Sequence, residues 1–245
     1  MQISKTASLT NYLLPVYRKK IAHPAFIILP GGGYTFVSLR ESAPIAHALN
    51  ALGYQAFVLD YTTWEKDRNL TFQMLQEEVR KTIEYIVENA DMLRVDPNQI
   101  YLMGFSAGGH LAAISGSLFY KYIKKVVLAY PYLSPKYNQD DSLEILGEGK
   151  EALHNLFNID ASDYISKNTP PTFIWGTYED NVVALQAMLD YIRRCDATNI
   201  PVEFHLYEKG SHGLSLATEA TMVEDEQVNP HVASWMLLLN AWLKL

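Results

Sequence analysis

The sequence predicts an α/β protein: a mostly parallel central sheet with helices on both faces and a small cap segment. Three observations lead there. Short β-branched or aromatic runs alternate with longer stretches of helical period, the pattern of consecutive βαβ units. A glycine-flanked serine sits where one strand-like run gives way to a helix-like one. The 245 residues, 49% of them hydrophobic, suffice to bury a sizeable core, so a single domain over 1–245 is expected.

Taken in order, the strand candidates are Phe26 to Leu29, Gln55 to Tyr61, Ile100 to Met103, Lys125 to Tyr130, Thr172 to Trp175 and Val202 to Tyr207. Each is short and apolar, as strands covered on both faces must be. Between them Ile45, Ala48, Leu49 and Leu52 recur at helical spacing, with Pro44 in the first turn and Gly53 placed to stop the helix. Phe72, Leu75, Val79, Ile83, Ile86 and Ala90 make a second stripe, and Leu185, Met188, Leu189 and Ile192 a third. Val232, Trp235, Met236, Leu239, Trp242 and Leu243 predict one amphipathic helix at the end of the chain. These stripes read as core. The segment from Leu133 to Pro171 lacks sustained periodicity, is rich in Asp, Asn and Ser, and is too long for an ordinary connection; it is expected to fold over the catalytic face as a small cap.

Composition excludes some functions. A net charge of -7 argues against a surface built for phosphate backbones, so nucleic acid is not an expected partner. The opening Met1-Gln2-Ile3-Ser4-Lys5-Thr6 has no apolar signal core and no stretch has membrane-spanning length, which makes a cytoplasmic location the expectation, with no membrane partner. Cys195 has no partner for an internal disulfide and no histidine motif around it, so it reads as a structurally neutral thiol. No HExxH, paired cysteine or clustered Asp and His spacing occurs, and neither metal nor cofactor is expected. The oligomeric state stays open, a homodimer included.

Gly104-Phe105-Ser106-Ala107-Gly108 fits G-x-S-x-G, the sharp strand-to-helix turn that projects a serine hydroxyl. The pattern alone is weak, but Ile100 to Met103 before it reads as a strand and Ala107 to Ala113 after it as a helix start. A serine hydroxyl needs an imidazole to take its proton and an acid to orient that imidazole. Seven histidines compete. His205 falls within a strand, His231 at the start of the last helix, His47 and His154 in helix-like stretches, His23 before the first core strand, and His110 on the helix after the elbow. Only His212 occupies a glycine-flanked loop directly after a late strand. The acid should lie between serine and histidine at a strand end. Asp180 is the choice and Glu179 the alternative, and either also reads as a carboxylate at the N-terminus of the next helix.

Backbone donors for a developing oxyanion are supplied best by glycine, and Pro30-Gly31-Gly32-Gly33-Tyr34 follows the first core strand. The same run is open to reading as a flexible turn or a phosphate loop, but it lacks both the GKS or GKT ending and the dinucleotide spacing. The donors would be the amides of Gly32 or Gly33 and of Ala107.

On these residues the chain resembles the esterase and lipase branch of the α/β-hydrolase superfamily, especially bacterial acetyl-xylan-esterase-like, carbohydrate-esterase-like proteins. The blocks that carry the likeness are Leu29-Pro30-Gly31-Gly32-Gly33-Tyr34, Arg40-Glu41, Asp96-Pro97 running into Gly104 to Ala112, Thr169-Pro170-Pro171-Thr172-Phe173, and Gly210-Ser211-His212-Gly213. Two positions depart from relatives: Pro30 stands where lipase-like members carry histidine, which points to the carbohydrate-esterase-like branch, and Thr62 follows Tyr61 where arginine is common. The resemblance implies hydrolysis of short-chain carboxylic esters, acetyl esters and sugar acetates among them. Tyr34, Tyr132 and Tyr178 are candidates to contact a sugar, although tyrosines on loops also serve as ordinary boundary residues. The rival readings are a small serine peptidase and a ligand-binding relative without catalysis.

Overall fold

Two-residue alternation of apolar side chains builds the sheet. The computed structural model describes residues 1–16, 21–137 and 151–245. Its strands are β1 (Ser8–Tyr12), β2 (His23–Leu29), β3 (Gln55–Asp60), β4 (Val95–Phe105), β5 (Ile123–Ala129), β6 (Thr172–Thr177) and β7 (Val202–Tyr207), in the sheet order β1-β3-β2-β4-β5-β6-β7. In β2, Ala25, Ile27 and Leu29 join one core, while Phe26 and Ile28 join the other. β4 divides alike, Ile100 and Leu102 against Tyr101, Met103 and Phe105. Strands covered on both sides read as unbroken apolar runs for this reason.

The helices are α1 (Ala43–Ala51), α2 (Phe72–Glu88), α3 (Ala90–Leu93), α4 (Ala107–Leu118), α5 (Glu151–Phe157), α6 (Leu185–Ala197), α7 (Pro230–Ala233) and α8 (Trp235–Trp242). α2, α4 and α6 supply one core through Leu75, Val79, Leu111, Met188 and Tyr191; α1, α7 and α8 supply the other through Ile45, Leu49, Val232, Trp235 and Leu239. Among the described residues no helix is long and apolar enough to cross a membrane.

All strand pairs are parallel except β1 with β3. The chain passes from β2 to β3 on one side and returns to place β4 on the other, where Leu29 pairs with Gly104. The loops after β2 and β4 therefore leave the carboxyl edge side by side, at the reversal of strand order where open α/β sheets form their binding crevices.

The structure corrects the expected elements in four places. β1 escaped notice because it is a polar edge strand in which only Leu9 is buried. β2 begins at His23, which is part of the strand rather than ahead of it. The last apolar stripe is carried by two helices instead of one: the amide of Ser234 bonds the carbonyl of His231, three residues back, and its hydroxyl bonds the same oxygen, tightening the chain between α7 and α8. Within the 133–171 segment, α5 and short 3₁₀ turns at Pro135–Tyr137 and Ala161–Tyr164 appear, with Leu133, Leu153, Leu156 and Ala161 buried in the core that α4 shares. The remainder of that segment, 138–150, lies outside the described residues.

Candidate active site

β4 ends at Phe105, and the chain turns at Ser106 with φ 51 and ψ -120 before α4 begins. A non-glycine residue in that region is strained by on the order of 1–3 kcal/mol. The turn is held by the Ser106 amide, which bonds Ala129, and by the Ser106 carbonyl, which accepts the amides of His110 and Tyr132 at 3.1 Å each. A Cβ on Gly104 would lie 2.1 Å from the carbonyl oxygen of Gly108, so strand and helix approach this closely only with glycine there.

Ser106 Oγ lies 2.9 Å from His212 Nε2, and His212 Nδ1 lies 2.7 Å from Asp180 Oδ2. Asp180 Oδ1 is occupied by the amides of Val182 and Val183. That leaves Oδ2 as acceptor for the imidazole N–H, so the other ring nitrogen faces the serine hydroxyl unprotonated. The Asp180 side chain is 1% exposed and that of His212 17%. The structure thus brings together the three side chains the sequence singled out. Glu179 points elsewhere: it pairs with Lys209 at 2.6 Å and accepts the Gly210 amide, and the Lys209 ammonium holds its carboxyl below the usual range. Among the described residues, no other histidine side chain is hydrogen-bonded to Ser106 Oγ.

Beside the elbow, the glycine loop is fixed from several directions. The Tyr61 hydroxyl donates to the Pro30 carbonyl at 2.6 Å, the Gly31 amide donates to Glu41 Oε2 at 2.7 Å, and the Trp64 amide donates to the Tyr34 carbonyl at 2.8 Å. Thr62, which stands where relatives often have arginine, is buried and bonds Glu78 through its amide and hydroxyl, so this stretch is anchored without a cation. The amides of Gly32, Gly33 and Ala107 donate to no acceptor among the described residues. They are available to an oxygen bound there.

The three tyrosines separate. Tyr34 is wholly buried, its ring against Tyr61, His110 and Phe157 and its hydroxyl bonded to His110 Nδ1 at 2.9 Å. Tyr132 is 8% exposed, with its hydroxyl on the Phe157 carbonyl and its ring against His110. Neither offers a free face to a sugar, a correction to the expectation for both: aromatic packing around His110 claims these rings. Tyr178 is 68% exposed.

Two buried groups carry interactions that sequence reasoning missed. His110 Nε2 lies 2.9 Å from the Ile159 carbonyl, which fixes the proton on that nitrogen and makes Nδ1 the acceptor of the Tyr34 hydroxyl. Burial pushes this imidazole down to about 4, with the Ile159 bond opposing. Glu41, also buried, accepts the Tyr130 hydroxyl at 2.6 Å as well as the Gly31 amide. Burial raises its carboxyl above the ordinary range, and those two bonds pull it back. For Glu41 the signal was its place in a recognised block; for His110 it was a histidine on an otherwise small and apolar helix start.

The BD-FAE family model matches residues 12–127. A sugar hydrolase from Lactococcus lactis is 36% identical, with a TM-score of 0.89 over 100% of this chain and 96% of that one. An α/β hydrolase enzyme from a Medee basin deep-sea metagenome library is 32% identical, with a TM-score of 0.85 over 100% of this chain and 95% of that one. An acetylxylan esterase of Xylanibacter ruminicola is 25% identical over 205 residues, 79% of this chain. The chain spans 35% and 42% of the length of the curated relatives it matches.

Proposed function

The chain belongs to the α/β-hydrolase superfamily, and from that premise we propose that it is a serine hydrolase of short-chain carboxylic esters, acetyl esters of sugars in particular. The observation that carries the reading is the unbroken relay Asp180–His212–Ser106, at 2.7 and 2.9 Å, beside the unengaged amides of Gly32, Gly33 and Ala107.

In this reading His212 Nε2 takes the proton of Ser106 as Oγ attacks the ester carbonyl carbon. The carbonyl oxygen becomes an oxyanion that the amides of Gly32 or Gly33 and of Ala107, engaged with no other acceptor among the described residues, would receive. Asp180 holds the imidazole and stabilises its cation. The cation then protonates the departing alkoxide, leaving an acyl-serine. Water repeats the sequence: His212 takes one of its protons, hydroxide adds to the acyl carbon, the bond to Ser106 Oγ breaks as that oxygen takes the proton back from His212, and the carboxylic acid leaves and ionises in solvent.

The preference for short acyl groups is supported by packing. Tyr34, Tyr132, Phe157 and His110 interlock near the elbow, with the Tyr132 and Phe157 ring centroids 4.9 Å apart, and in this reading rings packed so closely beside Ser106 favour a small acyl group. Each CH₂ left unburied forgoes about 0.8 kcal/mol of binding. The sugar preference is supported by the relatives, among them a sugar hydrolase and an acetylxylan esterase. Exposed Tyr178, two residues before Asp180, is the remaining aromatic candidate for a sugar face.

The test is a nitrophenyl ester series from acetate to laurate run beside acetylated xylose and xylo-oligosaccharide. The expected result is a kcat/KM that falls with acyl length and turnover of the sugar acetates. A steady rise toward laurate overturns the short-acyl reading, and acetate hydrolysis with no sugar acetate turned over removes the sugar.

A further inference from the structure

Arg40-Glu41 is a recognised block to which the relay assigns no task. Glu41 lies 4% exposed beneath the site. One of its oxygens takes the Gly31 amide and the other the Tyr130 hydroxyl. The Tyr130 oxygen in turn accepts the Ser215 amide at 2.9 Å, so its single proton is committed to Glu41. Ser215 stands three residues after His212, and its own hydroxyl donates to the Arg40 carbonyl at 2.7 Å. The dipeptide therefore grips the histidine loop at two atoms of one residue while holding the first glycine of the oxyanion loop.

The space admits no slack. A Cβ on Gly31 would lie 2.8 Å from Glu41 Oε2, 2.9 Å from the Phe105 carbonyl oxygen and 3.0 Å from Ser106 Cβ. The glycine loop is wedged between the Glu41 carboxylate and the serine's own Cβ. Tyr130 completes the frame, with its ring edge-on to His212 at 5.1 Å and 72°.

We propose that Glu41 is a positioning residue that sets the glycine loop and the histidine loop in register about Ser106. The proposal rests on the hydrolase reading above. Two amide or hydroxyl donors on two oxygens is the arrangement an ionised carboxylate needs.

The experiment compares the parent, Glu41→Gln and Tyr130→Phe on nitrophenyl acetate after titrating active serine with a nitrophenyl organophosphate. Glu41→Gln keeps the shape, removes the charge and sets an NH₂ group against a donor. The expected result is a kcat about 10- to 100-fold lower per titrated site with KM little changed, the cost of a misplaced reacting geometry. A merely structural role lowers the unfolding midpoint and leaves kcat per titrated site unchanged. Tyr130→Phe keeps the ring and the carboxylate but cuts the link to Ser215; it should lose kcat in the same way, and it decides the matter if Glu41→Gln does not fold. Parent-like kcat in a folded variant of either kind overturns the proposal. If instead the parent is not labelled and Ser106→Ala hydrolyses the ester at the parent rate, the Ser106 serine-hydrolase reading itself has failed.

Discussion

The hydroxyl of Tyr34 donates to His110 Nδ1 across 2.9 Å, joining the glycine loop to the helix that follows the elbow. Both residues are wholly buried. Because His110 Nε2 is committed to the Ile159 carbonyl, the same imidazole also ties in the segment after α5. Tyr34→Phe leaves a buried acceptor without a donor, at a cost of about 1–3 kcal/mol. Urea unfolding should register that loss, and an unchanged midpoint would show that the bond contributes nothing.

The same imidazole makes stability depend on pH. Burial lowers its folded-state value from 6.5 to about 4, so between those values the unfolded chain binds a proton that the folded chain does not. The contribution is therefore complete above about pH 6.5 and is lost progressively as pH falls toward 4. At 1.36 kcal/mol per unit the whole window is worth about 3 kcal/mol, and the drop from pH 7 to 5 about 2 kcal/mol. His110→Gln should flatten this dependence in urea titrations at several pH values. Equal slopes in parent and variant would assign the acid sensitivity to other groups.

Ser106→Ala removes the nucleophile without touching the backbone bonds that hold the elbow. A loss of about 10³-fold or more in ester turnover is expected, with the unfolding transition close to the parent's. Steady-state rates on nitrophenyl acetate, paired with near-ultraviolet circular dichroism, check both halves. Near-parent turnover in the folded variant would remove Ser106 from the chemistry.

The two neighbouring carboxylates should separate sharply. Asp180→Asn presents an NH₂ group or a weaker acceptor to His212 Nδ1 and should lower kcat by about 10³- to 10⁴-fold. Glu179→Gln loses an exposed pairing with Lys209 and should change kcat by less than about tenfold. Parallel kinetics on the two variants decide this, and the reverse ranking would mean that the acid is Glu179.

Much of the site was legible in the chain because its signals are local. An elbow serine needs glycines two positions either side, a base needs a loop after a late strand, and the acid needs a strand end between them; each is a statement about a few consecutive residues. The core strands and the stripes of α1, α2 and α6 were legible for the same reason, since burial on a strand or helix face imposes a short period. β1 was not, because an edge strand buries too little to mark itself. The break at Ser234 was not, because the apolar spacing continues across it.

What the sequence by itself determined is the alternation that makes a mostly parallel α/β sheet and the candidacy of Ser106 and His212, with an acid at Asp180 or Glu179. Only the tertiary structure favoured Asp180 over Glu179, buried the candidate sugar contacts Tyr34 and Tyr132 in ring packing, and placed Glu41 against Gly31 and Tyr130. Those outcomes depend on residues far apart in the chain, Gly31 and Glu41 with Tyr130 and Ser215, meeting at the carboxyl edge of the sheet. Hydrogen bonding and desolvation there act on neighbours in space, and no period along the chain encodes them.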